Sequence, residues 1–199
     1  IGQGYNAYTP VQLAQAVATL AANGTMYKPH LVSYVDNLRT GERRFFEPQV
    51  VRRLELKQEH IDFVKGAMQG VNKEGTGARA FAGAEYTSGG KTGTAQVVAI
   101  KQGEKYDERR VQERHRDHAL FIAYAPADKP RIALAVIVEN AGFGARSAVI
   151  VVQAERSRAK EPATKICFNP PSQSPLIIIA STLLPFRALR IPRQILTKR

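Results

Sequence analysis

Ser88-Gly89-Gly90-Lys91-Thr92-Gly93-Thr94-Ala95-Gln96 is the stretch around which the chain is organised. Val97, Val98 and Ile100 follow it, and β-branched residues suit a pleated, extended backbone. The stretch therefore reads as a strand entered through two glycines. Glycine inside a strand marks a place where another backbone or a ligand comes close. Lys91 brings a cation. Thr92 and Thr94 share one face, because strand side chains repeat every two residues. The same alternation sends Lys91 to the opposite face, so its side chain has to curl round the strand edge to join them. Two hydroxyls, one ammonium and an accessible edge can together hold an anion such as a carboxylate. The plainer reading is an edge strand that carries small polar residues.

Upstream, Thr9 can cap a helix, and Pro10 suits the first helical position. Val11, Ala14, Val17, Ala18 and Ala21 recur at helical spacing, and Asn23-Gly24 ends the run with a left-handed cap. Residues 31–38 and 43–48 read as two strands around Arg39-Thr40-Gly41-Glu42, which predicts a hairpin. Residues 57–72 read as a second helix with Ile61, Val64, Met68 and Val71 on one stripe. Gly75-Thr76-Gly77 breaks it, and residues 78–81 add one more turn.

Downstream, the motif strand runs to about residue 100. Residues 101–117 are a densely charged loop, read as a long hairpin connection, with an interaction surface as the alternative. Residues 118–125 alternate, with Leu120, Ile122 and Tyr124 opposite Phe121 and Ala123. A turn from Pro126 to Pro130 leads to a strand at 131–139. Short links make these three strands adjacent and antiparallel. With the helices, the fold class is α+β.

The chain has 199 residues and a net charge of +12, and one domain is the default at this length. The charge is uneven. Residues 149–199 carry nine Lys/Arg against two Asp/Glu, and residues 1–148 carry twenty against fifteen. A basic tail can signal a nucleic-acid or anionic-membrane binder, but no nucleic-acid motif and no run of interleaved aromatic and basic residues supports it. A single cysteine, Cys167, excludes an internal disulfide and a multi-cysteine metal site. No apolar run nears the ~20 residues that span a bilayer. The longest covers residues 176–184 and is closed by Pro185.

Lys91-Thr92-Gly93 matches one of three signatures of penicillin-binding proteins and serine β-lactamases, the others being Ser-x-x-Lys and Ser-x-Asn. Longer matches accompany it: Ile1-Gly2-Gln3-Gly4-Tyr5, Thr9-Pro10-Val11-Gln12-Leu13, Ala22-Asn23-Gly24, Gly75-Thr76-Gly77-Ala78 and Ala141-Gly142-Phe143-Gly144. Over residues 1–148 the chain resembles the C-terminal part of the transpeptidase domain of class B penicillin-binding proteins, within them the penicillin-binding protein 2 group. The implied fold is a partial penicillin-binding transpeptidase domain, similar to serine β-lactamases. The family continues into an amphipathic helix across the sheet. Residues 149–199 depart from that pattern, with scattered prolines and no helical period, and are expected to be a basic, largely irregular tail, disordered or frame-altered, that leaves a sheet face uncovered, with a gene fusion or a divergent domain as the alternatives.

The resemblance implies acyl transfer: a serine attacks a stem peptide ending in D-Ala-D-Ala, D-Ala leaves, and an amine of a neighbouring stem resolves the ester into a cross-link. β-Lactams acylate the same serine. It implies catalytic roles for Lys91, in charge and proton transfer, and for Thr94, whose N–H is half of an oxyanion hole. It implies substrate binding by Thr92, Gly93 and Thr94, the two hydroxyls taking the terminal carboxylate. No cofactor and no metal are implied. The other implied partners are the missing N-terminal half of the domain and a glycosyltransferase of the elongation machinery, at the periplasmic face of the inner membrane. No nucleic acid is expected.

A serine nucleophile needs a base beside it. Two literal Ser-x-x-Lys matches occur, Ser88 to Lys91 and Ser157 to Lys160, and neither is read as the nucleophile. Ser-x-Asn does not occur. The chain is therefore expected to be inactive alone and to supply one wall of a site. The alternatives are a non-catalytic truncated product or interaction module, and the basic binder above. A phosphate loop ending at Gly90-Lys91-Thr92 places Glu85 where its first glycine belongs. His115-Arg116-Asp117 lacks the Asn of a kinase loop, because Ile122 stands there. His115 and His118 lack a visible third metal ligand, and His30 and His60 have no partner in sequence.

Overall fold

The computed structural model describes residues 3, 6–32, 34–98, 111–142 and 176–182, the last as backbone alone. Helix α1 spans Pro10–Ala21 and starts in a capping box. The Gln12 N–H donates to Thr9 Oγ1 at 3.3 Å, and the Thr9 N–H donates to Gln12 Oε1 at 2.8 Å. Two orphan amides of the first turn are thus met. The helix stops where Asn23 and Gly24 take positive φ, 53° and 84°. Gly24 N–H then reaches back to Thr19 O at 2.9 Å. Of the residues placed on its apolar stripe, Ala14, Val17, Ala18 and Ala21 are buried and Val11 is exposed.

The expected hairpin forms but is shorter: β2 (Tyr34–Asp36) pairs with β3 (Arg43–Phe45). Asn37 Oδ1 accepts the Arg39 and Thr40 N–H groups, and Gly41 turns the chain at φ 75°. This hairpin sits inside a second ribbon absent from the sequence reading, β1 (Thr25–Tyr27) with β4 (Val50–Arg53). Helix α2 (Gln58–Lys73) follows, then a single turn α3 (Ala78–Phe81). Half of the α2 stripe is buried, at Ile61 and Met68, while Val64 stays exposed.

The main sheet has the order β5-β6-β7-β8, with β5 at Gly89–Ala95, β6 at His118–Ala125, β7 at Ile132–Val138 and β8 at Leu176–Thr182. The first three are antiparallel neighbours, as the short links predict. A short 3₁₀ turn, Glu113–His115, precedes β6. Within the tail expected to be largely irregular, β8 is a regular element. It pairs in parallel with β7, Ile132 opposite Leu176 and Val138 opposite Thr182. Pro175 and Pro185 flank this apolar run rather than interrupt it, so the ladder loses no donor to them. The readings made of residues 101–110, Ser157, Cys167 and the remainder of 143–199 lie outside the described residues.

The expectation of an uncovered sheet face is corrected. On one face, Tyr124, Ala133 and Ala135 pack against Ala14, Val17, Ala18, Ala21 and Met68. Alanine on both sides lets α1 lie close over the sheet. On the other face, Phe121, Leu134, Val136 and Val138 are buried in a cluster with Ala80 of α3. The central strands are therefore apolar on both sides, and this is where the core sits.

Lys65 joins α2 to the end of α1. Its Nζ donates to Ala21 O at 3.1 Å and to Asn23 Oδ1 at 2.6 Å. A cation at a helix C-terminus meets carbonyls that lack intrahelical partners. Burial pushes the Lys65 ammonium below its ordinary pKa, opposed by the charge of Asp62. Replacing it by methionine keeps the stem and removes the donors. Lys65→Met is expected to lower stability by about 1 kcal/mol, the usual net worth of a hydrogen bond, read as a fall in urea midpoint at unchanged slope.

Candidate functional site

β5 is the terminal strand of its sheet, so only its β6 side is paired among the described residues. The register sets Lys91 opposite Ile122, Thr92 opposite Phe121 and Thr94 opposite Ala119. Thr92 and Thr94 do share a face, and Lys91 lies on the other. Lys91 Nζ donates to Thr92 O, the carbonyl of the next residue, at 2.7 Å. The ammonium is thereby held against the backbone of the strand. Ser88 Oγ accepts from Asn72 Nδ2 at 2.9 Å, so among the described residues Ser88 and Lys91 are bonded to different partners.

Both ends of β5 are fixed by polar contacts. At its entry, the Ala127 N–H donates to Thr87 O and Thr87 Oγ1, both at 3.1 Å, tying the strand to the β6–β7 turn. Past its exit, the Val97 N–H donates to the carboxylate of buried Asp117 at 3.2 Å. His118 Nδ1 accepts the Asn140 N–H at 2.9 Å. Among the described residues, no group of three His, Cys, Asp or Glu side chains is placed to hold a metal ion.

The glycines at the entry meet aromatic rings, not a ligand. A Cβ on Gly89 would fall 2.7 Å from the ring and hydroxyl of Tyr124, and one on Gly90 would fall 2.4 Å from Phe121 Cζ. Both rings are fully buried. Burial also pushes the Tyr124 phenol above its ordinary pKa, opposed by a hydrogen bond with Gln69, and its hydroxyl donates to Lys65 O at 3.2 Å.

Sequence reading missed the support beneath Thr92. Thr76, noted only as part of a helix break, places its Oγ1 3.0 Å from Thr92 Oγ1. Thr92 is only 9% exposed. Asn72, at the end of α2, is buried as well, and its Oδ1 has no hydrogen-bond partner among the described residues. That oxygen lies 2.8 Å from where a Gly77 Cβ would stand and 3.1 Å from that of Gly90. The two small motifs therefore meet around one asparagine. The signal in the sequence was the pair of glycines flanking Thr76, which marks a close approach as well as a break.

On the Lys91 side, α1 and α2 diverge and leave an open apolar groove of about 540 Å³. Val17, Leu20, Phe63, Val64 and Val71 line it, with Lys91 on its floor. Phe63 is 78% exposed there, a large apolar side chain left in water.

The family model of the penicillin-binding protein transpeptidase domain matches residues 1–161. The chain belongs to this family. The match runs past residue 148, where the resemblance read from sequence ends. The peptidoglycan D,D-transpeptidase MrdA of Haemophilus influenzae is 40% identical over 151 residues, covering 74% of this chain and 23% of the relative. The chain thus spans about a quarter of the length of the curated relatives it matches. Among solved structures, PBP2 of Pseudomonas aeruginosa, in complex with WCK 5153, is 38% identical with a TM-score of 0.58, covering 77% of this chain and 30% of that one. Penicillin-binding protein A of Mycobacterium tuberculosis, as an imipenem acyl-enzyme, is 27% identical with a TM-score of 0.57, covering 77% and 32%. The α+β fold, with its antiparallel strands and helices, is that of the transpeptidase domains. Among the described residues, no helix is long and apolar enough to cross a membrane.

Proposed function

We propose that this chain forms the Lys-Thr-Gly wall of a serine D,D-transpeptidase site that cross-links peptidoglycan stem peptides. One observation carries the reading: β5, with no strand beyond it among the described residues and tied at both ends, carries Lys91, Thr92, Gly93 and Thr94 in one short run. A peptide can lie along such an edge as an added strand. In this reading the Thr92 and Thr94 hydroxyls donate to the terminal carboxylate of a D-Ala-D-Ala stem. Gly93 has no side chain to block the edge. The Thr94 N–H donates to the oxygen of the scissile carbonyl as it gains charge, which is where a fixed donor stabilises most.

The serine and its base come from the rest of the domain, the N-terminal half relative to residues 1–148. The serine oxygen attacks the carbonyl carbon, the peptide C–N bond breaks, and D-alanine leaves with a proton supplied by the base. A neighbouring stem amine then attacks the ester, returns the serine oxygen and loses its own proton. The groove between α1 and α2 is the surface assigned to that half. It is apolar, open, and brings Lys91 to whatever is seated there. A glycosyltransferase of the elongation machinery and a position at the periplasmic face of the inner membrane belong to the same proposal.

The test is intact mass after incubation with benzylpenicillin. The 199-residue chain alone is expected to stay unmodified. Joined to the upstream part of the Haemophilus influenzae relative, it is expected to gain one penicilloyl adduct. A joined protein that folds and gains none overturns the reading.

A further inference from the structure

We propose that Thr76 is a positioning residue for carboxylate recognition, acting through Thr92. The inference rests on the transpeptidase reading and deepens it. The two hydroxyl oxygens lie 3.0 Å apart, and either can be the donor. A hydroxyl has one proton and two lone pairs. A carboxylate only accepts. When Thr92 donates to a substrate carboxylate, its proton is committed, so the bond between the threonines must run from Thr76 O–H to Thr92 Oγ1. Substrate therefore fixes the polarity of the pair. Thr76 in turn meets a lone pair of the buried Thr92 oxygen and polarises its O–H bond toward the carboxylate.

Thr76 is well placed to do this because its backbone cannot drift. The Gly75 N–H donates to Gly70 O and the Gly77 N–H to Val71 O, both at 2.9 Å. A Cβ on Gly75 would fall 2.8 Å from Val71 Cα, so the loop is seated directly on the end of α2. Asn72, on the same turn, holds Ser88 at the entry of β5. The loop and the strand are tied at Thr76–Thr92 and at Asn72–Ser88, on either side of the two glycines.

The experiment uses the full chain joined to the upstream part of the Haemophilus influenzae relative, with benzylpenicillin and its methyl ester as probes. Thr76→Val keeps the shape and removes the hydroxyl, while Thr76→Ser keeps the hydroxyl. Thr76→Val is expected to slow acylation by the free acid about five- to tenfold, the net worth of one hydrogen bond between neutral groups. Thr76→Ser is expected to stay within about twofold of the parent. With the ester, which carries no carboxylate, Thr76→Val and the parent are expected to react alike. The inference is overturned if Thr76→Val matches the parent with the free acid, or slows acid and ester equally, which is the mark of a merely structural role. A parent that reacts with neither probe defeats the transpeptidase reading itself, and that outcome is told apart from the first two by the parent alone.

Discussion

Gly90→Ala is expected to destabilise the chain by about 3 kcal/mol, the upper end of what overpacking a core costs. The added carbon would fall 2.4 Å from Phe121 Cζ, 2.9 Å from its Cε2 and 3.1 Å from Asn72 Oδ1. None of these yields easily. Phe121 has no exposed surface, and its ring lies 5.9 Å from that of Phe81. Asn72 is held through its other side-chain atom by Ser88. The strand must therefore move off β6, and with it the edge that carries Lys91 and Thr92. Gly89→Ala meets the same obstacle on the opposite face, against Tyr124. Urea unfolding checks the size. Its cause is checked by repeating Gly90→Ala in a Phe121→Leu background, where the smaller side chain makes room. The penalty should fall by at least about 1 kcal/mol, because contacting sites couple. If the two penalties simply add, the ring is not the obstacle.

That glycine pair shows what a sequence can and cannot convey. Two glycines ahead of Lys-Thr-Gly announced a close approach. They could not say that the visitors are two buried rings from β6, because the pairing of Gly89 with Tyr124 is a fact of register. Local signals were read well for the same reason that they are local. Thr9, Pro10, Asn23 and Gly24 fix the ends of α1 through contacts within a few residues. The alternation of residues 118–125 survives in β6 because both of its faces are buried in different clusters.

The elements not legible depend on distant partners. β1 has three residues and a register shift between Met26 and Tyr27, too little for any period, and it becomes a strand only by meeting β4. β8 was visible as an apolar run, but nothing within residues 149–199 names β7 as its neighbour. The site divides in the same way. The shared face of Thr92 and Thr94 follows from alternation alone. That Thr76 stands behind Thr92 follows from how α2 ends, which periodicity does not encode.

Lys91→Met is expected to separate catalysis from folding. Lys91 is exposed, and among the described residues its Nζ makes one hydrogen bond, to the carbonyl of the next residue. Methionine fills the same floor of the apolar groove. Stability should change by less than about 0.5 kcal/mol, as for most surface positions outside special contacts. In the joined protein, however, the rate of acylation by benzylpenicillin should fall by about 10²- to 10⁴-fold, the range associated with losing a group that takes part in proton transfer. The contrast with Gly90→Ala is what gives the pair its force. One substitution displaces the strand and should lower stability and acylation together. The other leaves the strand in place and should lower acylation alone. Lys91→Arg sharpens the test, since it restores the charge but not a compact ammonium able to give up its proton. If Lys91→Arg recovers the rate, Lys91 acts by charge on the substrate carboxylate. If it does not, the proton of Lys91 is part of the chemistry. A Lys91→Met protein that acylates as fast as its parent would remove Lys91 from the site and, with it, the wall assigned to this strand.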